Sequence, residues 1–225
     1  MPTLVLLSGG LDSAVLAAHE AQRERVLPVY VSVGLSWEDA EVRMIEQLLA
    51  APAFTGQIDP LVRVSFTMRD VYSPTHWAIR GVPPAYDTPD EDVYLAGRNL
   101  VLLTKAGVVA AKAEAHRIAL GPLAGNPFPD ARPAFFSAMS EALSLGLDHA
   151  IEVVTPFLEW GKDRVITRGI ELGVPFELTL SCMNPLLTTG LPQHCGLCSK
   201  CRERRDAFAS AGVSDPSTYA NESPR

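Results

Sequence analysis

The chain carries Ser8-Gly9-Gly10-Leu11-Asp12-Ser13 directly between an apolar run, Thr3-Leu4-Val5-Leu6-Leu7, and a helix-like stretch over 14–24. A strand, a glycine turn and a helix start, in that order, build an anion site. Paired glycines let the backbone bend and come close to a ligand. The first N–H groups of the helix are unpaired and point at the turn, and the helix dipole adds positive potential there. Ser8 and Ser13 add hydroxyl donors, and Asp12 can hold Mg²⁺. The ligand this favours is phosphate or pyrophosphate. The alternative is a plain strand-to-helix turn, since Ser and Asp cap helices anywhere. Two glycines flanked by Ser8 and Asp12-Ser13 are more than capping needs.

Beyond this turn, short β-like runs alternate with longer helical ones. Strands are expected over 3–7, 26–33, 61–66, 117–120 and 151–154, and helices over 14–24, 37–49, 98–115, 134–145 and 162–172. Such alternation predicts an α/β fold, a parallel sheet of about five strands with helices on both faces. Ligands in that architecture bind beyond the carboxyl ends of the strands. Ser8–Ser13, Gly34, Gly121 and Thr155-Pro156 all fall at such ends. Segment 73–94 is rich in Pro and Asp and lacks periodicity; it is either a lid or a long surface connection.

Hydrophobic residues make up 47% of the 225 and charged residues 20%, as in an ordinary folded domain rather than a disordered chain. No apolar run is long enough to span a bilayer. The N-terminal run leads straight into the glycine turn, so it reads as a buried strand and not a signal peptide, and a cytoplasmic location is expected. The net charge of −7 argues against a broad nucleic-acid footprint. Lys200, Arg202, Arg204 and Arg205 make a local basic cluster, read as a solvated helix face.

All four cysteines lie late in the chain: Cys182, then Cys195, Cys198 and Cys201 at Cys-x-x-Cys-x-x-Cys spacing. Four thiolates so spaced can close a tetrahedral Zn²⁺ site, which would be full and therefore structural. An iron–sulfur cluster or a redox pair remains open; disulfides are disfavoured in a reducing compartment. His194 is expected to be an exposed neighbour rather than a ligand. The expected organisation is an α/β domain over 1–180 and a zinc module over 181–225 packed on it.

The hexapeptide at residues 8–13 resembles the PP-loop of ATP pyrophosphatases rather than a Walker A loop, which ends in Gly-Lys-Ser/Thr. A PP-loop at one end and a four-cysteine module at the other resemble the QueC family, the 7-cyano-7-deazaguanine synthases. The likeness continues through Tyr94-Leu95-Ala96-Gly97-Arg98-Asn99 and Pro129-Asp130-Ala131-Arg132. It extends through Thr155-Pro156-Phe157-Leu158, Lys162, Leu172-Gly173-Val174-Pro175 and Ser181-Cys182, and on to Arg202 to Phe208 after the last cysteine. The chain departs from the pattern at Ser32-Val33-Gly34-Leu35-Ser36-Trp37-Glu38, where the family has Tyr-Gly-Gln-Arg-His and only the glycine is kept.

The resemblance implies an adenine nucleotide alpha hydrolase-like fold and an ATP-dependent ligase. Such an enzyme joins ammonia to 7-carboxy-7-deazaguanine through adenylated intermediates, releases AMP and pyrophosphate, and makes a nitrile for queuosine or archaeosine. It implies Mg²⁺ with ATP, structural Zn²⁺ on Cys182, Cys195, Cys198 and Cys201, and a homodimer. The candidate ATP-binding residues are Ser8, Gly9, Gly10, Leu11, Asp12, Ser13, Ala14, Val15, Leu16, Ala17 and Ala18. Asp12, Lys162 and Arg98 are the candidate catalytic residues, and Asn99, Asp130 and Arg132 the candidate substrate contacts. The alternatives are a related ligase that adenylates another carboxylate or stops at the amide, a tRNA sulfur-insertion enzyme, which would want a free cysteine, and a zinc-containing module that only holds a nucleotide.

Overall fold

The N-terminal apolar run forms β1, Thr3–Leu6, the middle strand of a five-stranded sheet ordered β3-β2-β1-β4-β5. The others are β2, Val26–Ser32; β3, Val62–Ser65; β4, Arg117–Ala119; and β5, Glu152–Val154. Every pairing is parallel, with Thr3 opposite both Val26 and Arg117. The computed structural model describes residues 1–223; residues 224 and 225, the end of the expected 181–225 module, lie outside the described residues.

Side chains alternate across the strands, as a period of two requires. Leu4, Val31, Ile118 and Val153 face one layer of the core, and Val5, Tyr30 and Ala119 face the other. A parallel sheet covered on both faces needs apolar residues at nearly every strand position, which is why the first strand reads as an unbroken hydrophobic run. Pro28 is tolerated inside β2 for a local reason. By alternation from the Val26 N–H, which bonds Gln57, its missing N–H would face the gap between Ile58 and the start of β3.

The helices are α1, Leu11–Glu20; α2, Glu38–Leu49; α3, Trp77–Arg80; α4, Arg98–Lys112; α5, Pro133–Leu147; α6, Lys162–Glu171; and α7, Ser199–Ser210. Helices α1 and α6 pack together on one face, and α4 and α5 on the other. Helix α1 begins three residues earlier than its periodicity suggests, so Asp12 and Ser13 lie in its first turn. Helix α4 stops at Lys112 because Glu114 turns to φ 54° and Ala115 N–H reaches back to Ala110 O at 2.9 Å. The aperiodic 73–94 segment contains α3 and a 3₁₀ turn, Asp90–Val93. No helix among the described residues is long and apolar enough to cross a membrane.

The cysteine-bearing segment is continuous with this core. Leu180 N–H bonds Gly9 O at 2.8 Å, and α7 lies against α6.

Candidate active site

The connections leaving β1 and β4 diverge, because the chain winds one way from β1 to β2 and crosses the sheet from β3 to β4. A crevice opens between them at the carboxyl ends of the strands, as sheet topology dictates. It is a cavity of about 430 Å³ walled by residues after β1, after β4, and from α2, α4, α6 and α7.

One end of the cavity is the glycine turn. Gly9 holds φ +76°, and a Cβ there would meet Ile45 Cγ1 at 2.8 Å and the Glu41 carbonyl at 3.3 Å. Ser13 Oγ accepts from Ser8 N–H at 3.2 Å and donates to Gly10 O at 3.0 Å, which holds the turn closed. The first intrahelical bond is Ala14 N–H to Gly10 O at 3.0 Å. The amides of Leu11, Asp12 and Ser13 therefore have no partner within the helix and lie at its positive end, a ready receptor for a phosphoryl oxygen. Ser8, Gly10, Leu11, Asp12 and Ser13 line the cavity, whereas Ala14, Val15, Leu16, Ala17 and Ala18 are buried in the core against the sheet. Those five support the loop by packing and offer no side chain to a ligand.

Charges converge beside this turn. Asp12 Oδ2 is 3.4 Å from Lys162 Nζ, at the first residue of α6, while Asp12 Oδ1 is buried without a hydrogen-bond partner among the described residues. Burial raises the Asp12 carboxyl above its ordinary range despite Lys162. A cation at Oδ1 would relieve that penalty. Lys162 also contacts Glu203 of α7, whose other oxygen accepts from Lys200 Nζ at 2.6 Å. Burial opposes the charge on Glu203, but the two lysines prevail and hold its pKa at about 2. The same anions outweigh burial at Lys162 and raise its pKa.

The far end is aromatic and polar. Trp37 and Trp77 stack with centroids 5.8 Å apart and planes 9° from parallel, and Tyr94 stacks on Phe128 at 5.0 Å. Glu41 accepts from Tyr30 OH at 2.7 Å and from Trp37 Nε1 at 3.2 Å. Arg98, the first residue of α4, lines the cavity with its Nε buried and unpartnered among the described residues. Asn99 N–H donates to Asp130 Oδ2 at 3.2 Å and Asn99 Nδ2 to Asp130 O at 2.9 Å, tying the α4 start to the Pro129–Ala131 turn. Burial raises the Asp130 carboxyl, outweighing Asn99 and Arg98. The structure thus brings Asp12, Lys162, Arg98, Asn99 and Asp130 to one cavity. Arg132 is not among them: it caps α5 and is exposed to solvent.

Tyr30, Trp37, Glu41, Trp77 and Glu203 line the cavity without having been singled out from sequence as site residues, and Lys200, read from sequence as part of a solvated basic face, lines it too. Trp37 and Glu41 stand four apart at a helix start following a strand, the one local signal available. Glu203 follows Cys201 by two residues, but nothing local says that α7 turns that side chain toward α6. The departing stretch has its own logic. Glu38 accepts from Val33 N–H at 2.8 Å, from Gly34 N–H at 3.0 Å and from the Ser32 hydroxyl at 2.5 Å, closing the turn after β2.

The sulfurs of Cys182, Cys195, Cys198 and Cys201 all lie within 4.8 Å of one another. Their separations include 4.0 Å (182–198), 3.9 Å (195–201) and 3.5 Å (198–201). A tetrahedron with metal–sulfur bonds of about 2.3 Å has edges of about 3.8 Å, so the donor set fits a zinc-sized ion. Backbone N–H groups of Asn184 and Cys195 point at Cys182 Sγ, and that of Leu197 at Cys195 Sγ, as thiolates want.

Two expectations at this end are corrected. His194 is buried, at 2% exposure, and burial lowers its pKa to about 3; the neutral ring accepts Ser181 N–H at 3.1 Å. The basic cluster is not a solvated face either. Arg204 is 1% exposed and bonds Asp215, Thr179 Oγ1 and Phe176 O, Arg205 holds Gly196 O, and Arg202 holds Thr88 O. Guanidinium groups here act as cross-links because they can satisfy several carbonyls at once.

The family model described as "Queuosine biosynthesis protein QueC" matches residues 2–212. A 7-cyano-7-deazaguanine synthase of Methanopyrus kandleri is 30% identical, over 96% of this chain and 98% of the relative. Synthases of the same name from Syntrophotalea carbinolica and Ruegeria pomeroyi are each 34% identical, over 99% and 98% of this chain and 98% and 95% of theirs. With the glycine turn, the crevice and the cysteine cluster all inside a match of nearly full length, the chain belongs to the QueC family.

Proposed function

We propose that the chain converts 7-carboxy-7-deazaguanine, ammonia and ATP to 7-cyano-7-deazaguanine. The observation that carries this reading is a single cavity that joins a phosphate-type loop to an aromatic-walled compartment where Arg98 Nε is buried without a partner among the described residues. The names of the relatives supply the product, 7-cyano-7-deazaguanine.

In this reading, the carboxylate attacks the α-phosphorus of ATP and pyrophosphate leaves, giving an acyl adenylate. Ammonia displaces AMP and loses a proton, giving the amide. The amide oxygen then takes an adenylyl group from a second ATP, releasing pyrophosphate and one N–H proton, and loss of AMP with the second N–H proton leaves the nitrile. The amides of Leu11, Asp12 and Ser13 hold the departing pyrophosphate, and Lys162 neutralises charge building at phosphorus. Asp12 Oδ1 would hold Mg²⁺, which supplies charge neutralisation on the phosphates. Zinc on the four cysteines is structural, since no ligand position is left open. All four thiols of the chain lie in that cluster, which disfavours sulfur insertion.

The test is mass-spectrometric product analysis with Mg-ATP, ammonium and 7-carboxy-7-deazaguanine. Nitrile with AMP is expected. Amide alone would restrict the reaction to its first half. No consumption by zinc-loaded folded protein would overturn the substrate, and Ser32 to Trp37 would be where the difference resides.

A further inference from the structure

Glu41 and Arg98 form an open pair. Both line the cavity, and neither closes on the other as an ion pair. Glu41 Oε1 is fixed by the Trp37 indole and Oε2 by the Tyr30 hydroxyl. Each carboxylate oxygen accepts two hydrogen bonds, so each keeps one free. Arg98 has donors only, and its Nε is buried without a partner among the described residues. A half-buried arginine whose Nε is buried and unmatched would ordinarily turn toward a buried carboxylate on the same cavity, because an unmatched donor in the interior costs free energy. Here the carboxylate is tethered by Tyr30 of β2 and by Trp37, while Arg98 is carried by the first turn of α4. Trp37 and Trp77 line the same cavity as stacked flat rings, and the Nε1–H bond to Glu41 holds the Trp37 ring in place.

We infer that Glu41 and Arg98 together read the lactam edge of a planar heterocycle, Glu41 accepting its ring N–H and exocyclic amine and Arg98 donating to its adjacent carbonyl. This rests on the proposed function and assigns the specificity-determining residue for the base. It puts the base grip on Glu41 and Arg98, where sequence pointed to Asp130 and Arg132. An adenine edge also offers a donor beside an acceptor, but with one N–H group and a ring nitrogen. A carboxylate with two free lone pairs and a carbonyl-seeking guanidinium match the lactam more fully.

The groups facing Glu41 are Tyr30 from β2, Trp37 and Glu38 from α2, and Arg98 from α4. Burial pushes its pKa up to about 7, against the pull of Arg98 and the Tyr30 hydroxyl. The accepting, ionised form therefore grows as pH rises through about 7, and lactam binding should strengthen over that interval.

The test is calorimetric titration of the zinc-loaded protein with 7-deazaguanine, which has the lactam edge and no carboxylate, so binding is read without turnover. Wild type should bind it, more tightly at pH 8 than at pH 6. Glu41→Gln should weaken binding about 10- to 100-fold and flatten the pH dependence, with thermal midpoint and zinc content unchanged. The N1-methyl derivative should bind poorly to both. Equal affinity in wild type and variant, or no binding to wild type, overturns the inference. A variant that loses ATP affinity instead would assign the gap to the nucleotide's adenine and overturn it equally. Turnover of the carboxylate by wild type reads the proposed function separately, and either can fail without the other.

Discussion

Gly9 has two independent reasons to be glycine: a left-handed φ of +76° and a neighbour, Ile45 Cγ1, 2.8 Å from where a Cβ would stand. Gly9→Ala should lower stability by about 1–2 kcal/mol from backbone strain alone, measured by urea denaturation, and abolish AMP formation. Asp12 sets the opposite balance. Its raised pKa means the fold favours the protonated form, so stability present below the unfolded value of about 3.9 is lost as pH rises from there through the folded pKa. Asp12→Asn should therefore leave the thermal midpoint at neutral pH unchanged or slightly higher, while turnover falls by about 10²-fold or more. A variant with wild-type turnover would remove Asp12 from the reaction. Both positions were legible in the sequence, because a glycine turn between a strand and a helix is local. That Gly9, rather than Gly10, takes the positive φ was not.

Among the elements, α6 depends on close approach. A Cβ on Gly169 would run into the Phe176 ring and stand 2.7 Å from Val15 Cγ2 of α1. Gly169→Ala should destabilise by about 1–3 kcal/mol through overpacking, read as a lower denaturation midpoint. Because Lys162 opens the same helix, activity should fall with it. Helix α7 begins inside the cysteine cluster, with Cys198 as its cap, and delivers Glu203 to Lys162, with Lys200 on the other Glu203 oxygen. Stripping the metal with a chelator should thus lower thermal stability and the affinity for ATP together. A loss of stability with ATP affinity intact would separate α7 from the site. The sequence shows the cysteine spacing but not this link, since α7 has charges around most of its surface and no amphipathic period to reveal which side is buried.

At the scale of the whole molecule, Arg204 fastens the end of the chain to the sheet domain, joining Asp215 at 3.0 Å to Thr179 Oγ1 and Phe176 O. Burial would raise the Asp215 carboxyl, but Arg204 and the Tyr219 hydroxyl outweigh it and hold it below the ordinary range. A lowered carboxylate pKa contributes stability above its unfolded value of about 3.9, lost as pH falls through the folded pKa. Arg204→Ala should cost about 3–5 kcal/mol at pH 7, because it leaves Asp215 buried and unpaired. The difference from wild type should shrink as pH falls below the ordinary value of about 3.9 and through the lowered folded pKa, where the carboxylate is neutral in both. A gap that persists at low pH would assign the loss to packing instead.

The order of strands and helices, the anion turn and the cysteine cluster were determined by the sequence alone. Each is written in near neighbours: side chains alternating every second residue, two glycines between a strand and a helix, thiols three apart. Only the tertiary structure decided which distant residues share the cavity. It set Arg98 inward and Arg132 outward, although both stand at helix starts. It placed Glu41 and Arg98 on one cavity, Glu203 beside Lys162, and the backbone of Leu180 on Gly9. Those meetings follow from the crossover between β3 and β4 and from the docking of α7 on α6. Both are settled by burying apolar surface across the whole sheet, which no local pattern records.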